Sequence, residues 1–199
     1  MNMRINRDDR IFILKIDHSD RIISVNEHWL NFARENDADG LIKSSILGQS
    51  LWKFICDDST IHLYQTMLAR AREEKLSFSI PFRCDSPDYR RFMEMKITPS
   101  GNEAISFESW IVKLEPREHV GLFEAGHERS DELIRVCSYC KKIFAAESGW
   151  HDVEEAITLL DLFSAEKLPQ ITHTICPSCY RECMKALNSG KPYPEDDIS

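Results

Sequence analysis

Two cysteine pairs with the same spacing lie in the C-terminal part of the chain, Cys137-x-x-Cys140 and Cys176-x-x-Cys179. A C-x-x-C segment turns tightly enough to aim both of its sulfurs at one point. Four thiolates about 2.3 Å from one ion form the closed tetrahedral site that is typical of structural zinc. The spacing therefore predicts that these four cysteines bind one zinc ion per chain.

Two further side chains could compete as ligands, because His173 precedes Cys176 by three residues and Cys183 follows Cys179 by one helical turn. We expect His173 to support the site from outside and Cys183 to be a spare thiol. Iron is the alternative metal for a four-thiolate site. A thioredoxin-like dithiol would need a C-x-x-C that follows a strand in a βαβ unit. The sequence predicts that setting for neither pair.

Cys84 is a candidate for a different thiol chemistry. It adjoins a turn, and three arginines are close to it in sequence: Arg83, Arg90 and Arg91. Positive neighbours lower the pKa of a thiol, so Cys84 is a candidate redox thiol. The alternative is that these arginines are solvated or pair with the acidic residues of the turn. Cys56 follows Phe54 and Ile55, and we expect it to be a small buried residue.

Composition places the chain among ordinary globular proteins. It has 199 residues and seven cysteines, and most of its net charge of −8 falls after residue 115. Because nucleic-acid binders usually carry a basic surface, we expect no nucleic-acid partner. No segment resembles a signal peptide or has the roughly 18 apolar residues of a membrane span. We therefore expect a cytoplasmic protein with reduced thiols and no membrane partner.

The elements before residue 116 form a regular pattern. Short apolar or alternating runs predict five strands, at 11–16, 22–25, 76–82, 92–97 and 105–114. Asn26 can cap a first helix, and residues 57–59 can cap a longer one. On the longer helix a buried face is predicted for Ile61, Tyr64, Leu68 and Ala71. These elements predict an α+β fold, in which helices cover one face of a five-stranded antiparallel sheet.

This order of elements over residues 9–115 resembles the PAS domain. The resemblance rests on residues 20–26 (Asp-Arg-Ile-Ile-Ser-Val-Asn), on residues 46–55 (Ile-Leu-Gly-Gln-Ser-Leu-Trp-Lys-Phe-Ile) and on the closing three strands. It implies a bacterial signalling protein whose first domain senses a small molecule, redox state or light, or forms a homodimer.

Two common PAS cofactors are not expected. The light-sensing members carry a Gly-x-Asn-Cys-Arg-Phe-Leu-Gln segment whose cysteine attacks flavin, and Leu51 stands at the position of that cysteine. Haem-type members need an axial histidine, normally on the long helix. His62 lies near the start of that helix beside Ile61, where a histidine is more often a partly buried residue of the cap region than a haem ligand. Lys141 and Tyr180 follow the two cysteine pairs, so the c-type haem motif is absent.

The rest of the chain is predicted as a linker at 116–132, a cysteine module at 133–188 and a frayed tail at 189–199. Leu122 and Phe123 in the linker are expected to dock back onto the sheet. An amphipathic helix starting at Gly149-Trp150 is expected to pack its apolar stripe over the metal site. A strand at 171–175 should lead into Cys176, and a terminal helix should follow it.

The motifs Cys-Ser-Tyr-Cys-Lys-Lys-Ile, Gly-Trp before a helix and Thr-His-Thr-Ile-Cys-Pro-Ser-Cys together resemble a cysteine module of bacterial PAS and response-regulator proteins. This resemblance supports the architecture more than the function. No kinase, phosphoacceptor or helix-turn-helix pattern is recognisable, so we expect a regulatory protein that acts through a protein partner. The alternative is a redox sensor in which Cys84 or the zinc thiolates are oxidised. No nucleophile–base pair or carboxylate dyad is recognisable, so we expect no enzymatic activity.

Overall fold

The computed structural model describes residues 3–4, 10–36, 38–124, 126 and 128–189. The first sheet contains β1 (Met3–Arg4), β2 (Phe12–Ile16), β3 (Ile22–Val25), β4 (Phe78–Arg83), β5 (Tyr89–Pro99) and β6 (Ile105–Pro116). Its strand order is β3-β2-β6-β5-β4, β1 pairs with β6, and all of these pairs are antiparallel. The predicted α+β class and the five antiparallel strands are confirmed, and β1 adds a sixth, two-residue strand.

The helices between β3 and β4 are α1 (Glu27–Glu35), α2 (Lys43–Ile46) and α3 (Asp58–Glu74), with a 3-10 helix at Leu51–Phe54. Both predicted caps are present. Asn26 accepts a hydrogen bond from the backbone N–H of Trp29 at 2.9 Å, and Asp57 accepts one from that of Thr60 at 2.8 Å. Each cap satisfies an N–H group that the first helical turn would otherwise leave unpaired.

The buried face of α3 is wider than its sequence predicts. Leu68 and Ala71 are buried as expected, but Leu63 and Met67 are buried as well, whereas Tyr64 is only half-buried. The reason is that α3 has two neighbours, the sheet on one side and a C-terminal helix on the other. Periodicity within α3 does not reveal the second neighbour.

The second sheet has four strands in the order β10-β7-β8-β9. These are β7 (Arg129–Cys137), β8 (Ile143–Ala145), β9 (Gly149–His151) and β10 (Leu168–Thr174), accompanied by α4 (Val153–Leu159), α5 (Pro177–Ser189) and a 3-10 helix at Gly121–Phe123. β10 runs parallel to β7, and the other pairs are antiparallel. The predicted strand before Cys176 and the helix after it are confirmed. The predicted tail, 189–199, lies outside the described residues except for Ser189, at which α5 ends.

Two boundaries expected for this region differ from those of the structure. β7 begins at Arg129, inside the segment predicted as a linker. The helix begins at Val153 rather than at Gly149, because Gly149 has a φ of +96° and turns the chain from β8 into β9. Glycine adopts such a positive φ without the steric cost that other residues incur.

Two hydrophobic cores meet at β7. Val136 belongs to a small core with Leu122, Ile143 and α4, whereas Cys137 belongs to the large core that contains α3. Consecutive strand residues point to opposite faces of a sheet, so these neighbours enter different cores. The stripe of α4 therefore packs away from the cysteines, contrary to the expectation, and Phe163 beyond this helix is 81% exposed.

A buried ion-pair cluster connects the first sheet to α4. The carboxylate of Asp85, between β4 and β5, pairs with Arg83 and lies 3.0 Å from Nη1 of Arg117. The other terminal nitrogen of Arg117 lies 2.7 Å from Oε1 of Glu154 in α4. The side chain of Asp85 is 0% exposed and that of Arg117 is 1% exposed.

Within the described part of the chain, no helix combines the length and apolarity required to cross a membrane.

Candidate metal centre

The parallel pairing of β7 and β10 brings the two cysteine pairs together. Cys137 is the last residue of β7 and is in register with Thr174, the last residue of β10. Cys176 follows β10 and immediately precedes α5. Both C-x-x-C segments therefore leave the same end of two neighbouring strands.

The four sulfurs fit a single tetrahedral ion. The Sγ atoms of Cys137, Cys140, Cys176 and Cys179 all lie within 4.8 Å of one another, and those of Cys140 and Cys176 are 3.8 Å apart. A tetrahedron with metal–sulfur bonds of about 2.3 Å has edges of about 3.8 Å. Thiolate ligands select zinc or iron over magnesium and calcium.

Backbone N–H groups point at two of the sulfurs. Cys137 Sγ accepts from the N–H of Cys176 at 3.3 Å, and Cys176 Sγ accepts from that of Cys179 at 3.5 Å. Lys141, which has a φ of +64°, donates its backbone N–H to the carbonyl of Cys137 at 3.0 Å and closes the first turn. The two N–H···S hydrogen bonds orient the sulfurs and stabilise negative charge on them.

The thiols also influence one another's protonation. Hydrogen bonds from Cys140, Cys176 and Cys179 lower the pKa of Cys137 well below the ordinary value of a thiol. The same interactions raise the pKa of Cys140 and of Cys179, because each lies beside the Cys137 thiolate. Like charges this close together disfavour one another, so a bound cation would be needed to keep all four thiols ionised.

The two competing ligands lie outside this group of sulfurs. Cys183 is buried in α5, and burial raises the pKa of its thiol to about 12, so the thiol is protonated at neutral pH. His173 is an exposed residue of β10.

The setting of a thioredoxin-like dithiol is only partly present. Both cysteine pairs follow strands, but β8 and β9 lie between Cys140 and α4, and among the described elements no strand follows α5. What favours a metal over two separate dithiols is that one compact group contains all four sulfurs.

The other thiols and His62 have different surroundings. Cys56 is exposed, which contradicts its predicted burial, and Cys84 is half-buried. The three arginines near Cys84 bond to other groups: Arg83 to Asp85, Arg90 to Glu154 and Arg91 to Asn36. Arg83 thus pairs with an acidic residue of the turn, as the alternative to a redox role for Cys84 predicts.

His62 is exposed, and its Nδ1 lies 3.1 Å from the hydroxyl of Tyr180.

Residues of β4 and at the start of α3 hold the cysteine segments in place. The backbone N–H of Arg83 donates to the carbonyl of Tyr139 at 2.7 Å, and its Nη1 donates to that of Cys140 at 3.2 Å. Thr174 donates its hydroxyl to Oδ1 of Asp57 at 2.7 Å. Sequence reasoning assigned Arg83 and Asp57 no role at the metal centre. No local signal could have found them, since their partners lie more than fifty residues away.

No protein-family model matches the chain, and no curated protein matches it. A solved structure described as a sensory box sensor histidine kinase from Vibrio cholerae matches with a TM-score of 0.38 and 12% sequence identity. The match covers 52% of this chain and 82% of that chain.

Proposed function

We propose that this protein is a non-enzymatic regulator of bacterial signal transduction, in which a PAS-like sensor or dimerisation domain is coupled to a structural zinc module. The observation that carries the proposal is the group of four cysteine sulfurs within 4.8 Å of one another. Cys137 and Cys176 of this group share one core with α3 of the first domain. A metal bound there would stabilise the junction of the two parts as well as the module itself.

The ligand set favours a structural role for the metal. Four protein thiolates fill a tetrahedral ion completely, whereas catalytic zinc keeps a position open for water or substrate. Zinc is favoured over iron because it has no redox chemistry of its own and suits a closed structural site. A reducing, cytoplasmic compartment would keep the thiols available for the ion.

Contacts between the two parts give a route for signalling. Hydrogen bonds connect Arg83 to the Cys137-x-x-Cys140 loop, Asp57 to β10 and His62 to α5. A change in the first domain would therefore reach the metal loop through directly bonded groups. The output would pass to a protein partner, for which Leu133, 65% exposed on β7, and Phe163 offer apolar contacts. By resemblance, the PAS-like domain would form a homodimer.

A redox sensor is the second candidate function, favoured by the partial exposure of Cys140, Cys179 and Cys84. Two zinc thiolates would give two electrons to a peroxide, forming one disulfide and releasing the zinc ion, while the peroxide is reduced to water. Loss of the ion would loosen the contacts of the cysteine loop with β4.

Metal analysis of protein purified without chelator tests the proposal. We expect about one zinc per chain, retained under mild peroxide. Cys137→Ala combined with Cys176→Ala should abolish metal binding and lower the Tm, because both cysteines are buried ligands. Cys183→Ala is the matched control, a buried cysteine outside the group, and should keep its zinc.

Unchanged metal content and unchanged Tm in the double variant would contradict the metal centre. Zinc that is released in step with thiol oxidation would favour the redox sensor over the structural role. A flavin or haem absorbance band in the purified protein would contradict the expected absence of these cofactors.

A further inference from the structure

A cavity of about 440 Å³ lies between the C-terminal end of α1 and the strands β2, β5 and β6 of the first sheet. It is separate from the large core beneath α3, because none of the described residues that line it belongs to that core. Its volume lies in the range of pockets that bind small organic molecules, about 300–1,000 Å³.

Most of the lining of this cavity is apolar. Phe12 and Phe32 contribute two aromatic rings whose centroids are 4.6 Å apart. Trp110, Ile111 and Leu114 line the cavity from β6. Phe12 is only 5% exposed and Trp110 only 6%, so a ligand in contact with them would lose much of its own contact with water. Such a surface favours a ligand with an aromatic or aliphatic body.

Arg91 brings a positive charge to the same lining. Its guanidinium lies 5.4 Å from the ring centroid of Phe32 and donates from Nη1 to Oδ1 of Asn36. In the part of the chain that the structure describes, this guanidinium forms no ion pair with a carboxylate. Because an arginine has five N–H donors in a planar fork, several of them remain for a ligand.

The other charges near Arg91 do not cancel this one. Arg10 and Glu35 also line the cavity, but they pair with each other at 3.4 Å, and their side chains are 62% and 56% exposed. The carboxylate of Asp85 accepts from the backbone N–H of Arg91 at 3.3 Å and is already paired with two other arginines. The lining therefore carries one positive charge in excess.

We propose that this cavity binds a small organic monocarboxylate with an aromatic or branched aliphatic body. The two carboxylate oxygens accept hydrogen bonds from the guanidinium of Arg91, whose planar fork matches their geometry. The body of the ligand lies against Phe12, Trp110 and Leu114. This inference rests on the proposed function, because such a ligand would be the signal of the sensor domain.

The residue that binds the carboxylate also holds the turn before β5. The backbone N–H of Arg91 donates to Asp85, and its carbonyl accepts from the N–H of Cys84 at 3.0 Å. Asp85 in turn pairs with Arg83, which donates to the carbonyl of Cys140. A ligand that shifts the start of β5 would therefore reach the cysteine loop through directly bonded groups.

The test uses the full-length, zinc-loaded protein and two probes of nearly the same shape. 2-Naphthoate carries a carboxylate, and 2-naphthamide replaces it with a neutral amide. We expect isothermal titration calorimetry to show that Arg91→Gln weakens binding of naphthoate by about tenfold, the loss for one charge-assisted hydrogen bond. Binding of naphthamide should be unchanged. Arg90→Gln is the matched control, since this neighbouring arginine does not line the cavity.

Leu114→Trp is a second variant that tests where the probes bind. Its larger side chain should occupy the cavity and weaken the binding of both probes. The inference is overturned if naphthoate does not bind at millimolar concentration, if Arg91→Gln and Arg90→Gln bind it equally, or if Leu114→Trp binds it as the wild type does. Zinc content is measured on the same preparations, so such a failure in zinc-loaded protein is distinguishable from failure of the proposed metal module.

Discussion

Neutralising Asp85 should destabilise the protein far more than any exposed substitution in the same ion-pair cluster. Its carboxylate is 0% exposed and accepts from Arg83, from Arg117 Nη1 at 3.0 Å and from the backbone N–H of Arg91 at 3.3 Å. Asp85→Asn keeps the shape of the side chain but removes its charge. The guanidinium of Arg117, 1% exposed, then keeps Glu154 as its one ion-pair partner among the described residues.

The expected magnitude follows from this burial. Desolvation already lowers the pKa of Arg117, and the charges of Glu154 and Asp85 counteract that effect. Removing one partner of a buried ion pair costs about 3–5 kcal/mol, because the other charge stays buried without compensation. The free energy of unfolding of a typical domain is only about 5–15 kcal/mol. Asp85→Asn should therefore remove a large share of the stability.

Urea unfolding at fixed zinc concentration measures this loss. With an m value of about 2 kcal/mol/M, the midpoint should fall by about 1.5–2.5 M. Arg90→Gln is the control from the same cluster. Arg90 is 35% exposed and pairs with Glu154, which is 45% exposed, so its loss should cost less than about 1 kcal/mol.

A double-mutant cycle sharpens the test. Arg117→Met leaves Asp85 paired with Arg83, and adding it to Asp85→Asn removes the charge that the first substitution stranded. The double variant should therefore be more stable than the sum of the two single losses predicts. The reasoning is refuted if Asp85→Asn lies within about 1 kcal/mol of the wild type, or if the two losses simply add.

Three further expectations concern stability. Asp57→Ala removes the cap of α3 and its hydrogen bond to β10, so the free energy of unfolding measured in urea should fall by about 2 kcal/mol. Leu63→Ala should cost about 2–5 kcal/mol in the same assay, because Leu63 is 0% exposed, whereas the change at exposed Leu133 should stay within about 0.5 kcal/mol. The hydrogen bond to Asp88 raises the pKa of His119. Its contribution is complete below the unfolded-state pKa of about 6.5 and is lost as the pH rises through the raised folded value. The Tm difference between wild type and His119→Gln should thus be largest near pH 5, below both pKa values. It should disappear near pH 9, above both of them.

Each of these has a contrary outcome. An unchanged midpoint for Asp57→Ala would mean that the cap and the contact with β10 contribute nothing. Equal losses for Leu63→Ala and Leu133→Ala would contradict the assigned burial. A Tm difference for His119→Gln that grows with pH would reverse the sign expected for a group whose folded-state pKa is raised.

The parts of the structure that the sequence predicted are those set by local patterns. The strands of the first sheet alternate in hydrophobicity, and the caps at Asn26 and Asp57 depend on residues one turn away. The group of four cysteines that could hold a metal was predictable for the same reason, because C-x-x-C geometry is local. Local rules of this kind needed no knowledge of which elements pack together.

The missed features depend on distant partners. The start of β7 is charged and exposed on one face, and only its pairing with β10, across a long connection, makes it a strand. The burial of Leu63 and Met67 involves α5, and the anchoring of the cysteine loop involves Arg83 in β4. Neither the contact between α3 and α5 nor the contact between Arg83 and the cysteine loop produces a hydrophobic period in the local sequence.

The contacts between α3 and the end of the chain have a consequence for folding during synthesis. Thr174 bonds to Asp57 across 117 residues, and Tyr180 bonds to His62 across 118. At about 5–20 residues per second, a ribosome needs about 6–23 seconds to make the intervening chain. For that interval the face of α3 that packs against α5 is uncovered, and it is open to association with chaperones or with other nascent chains.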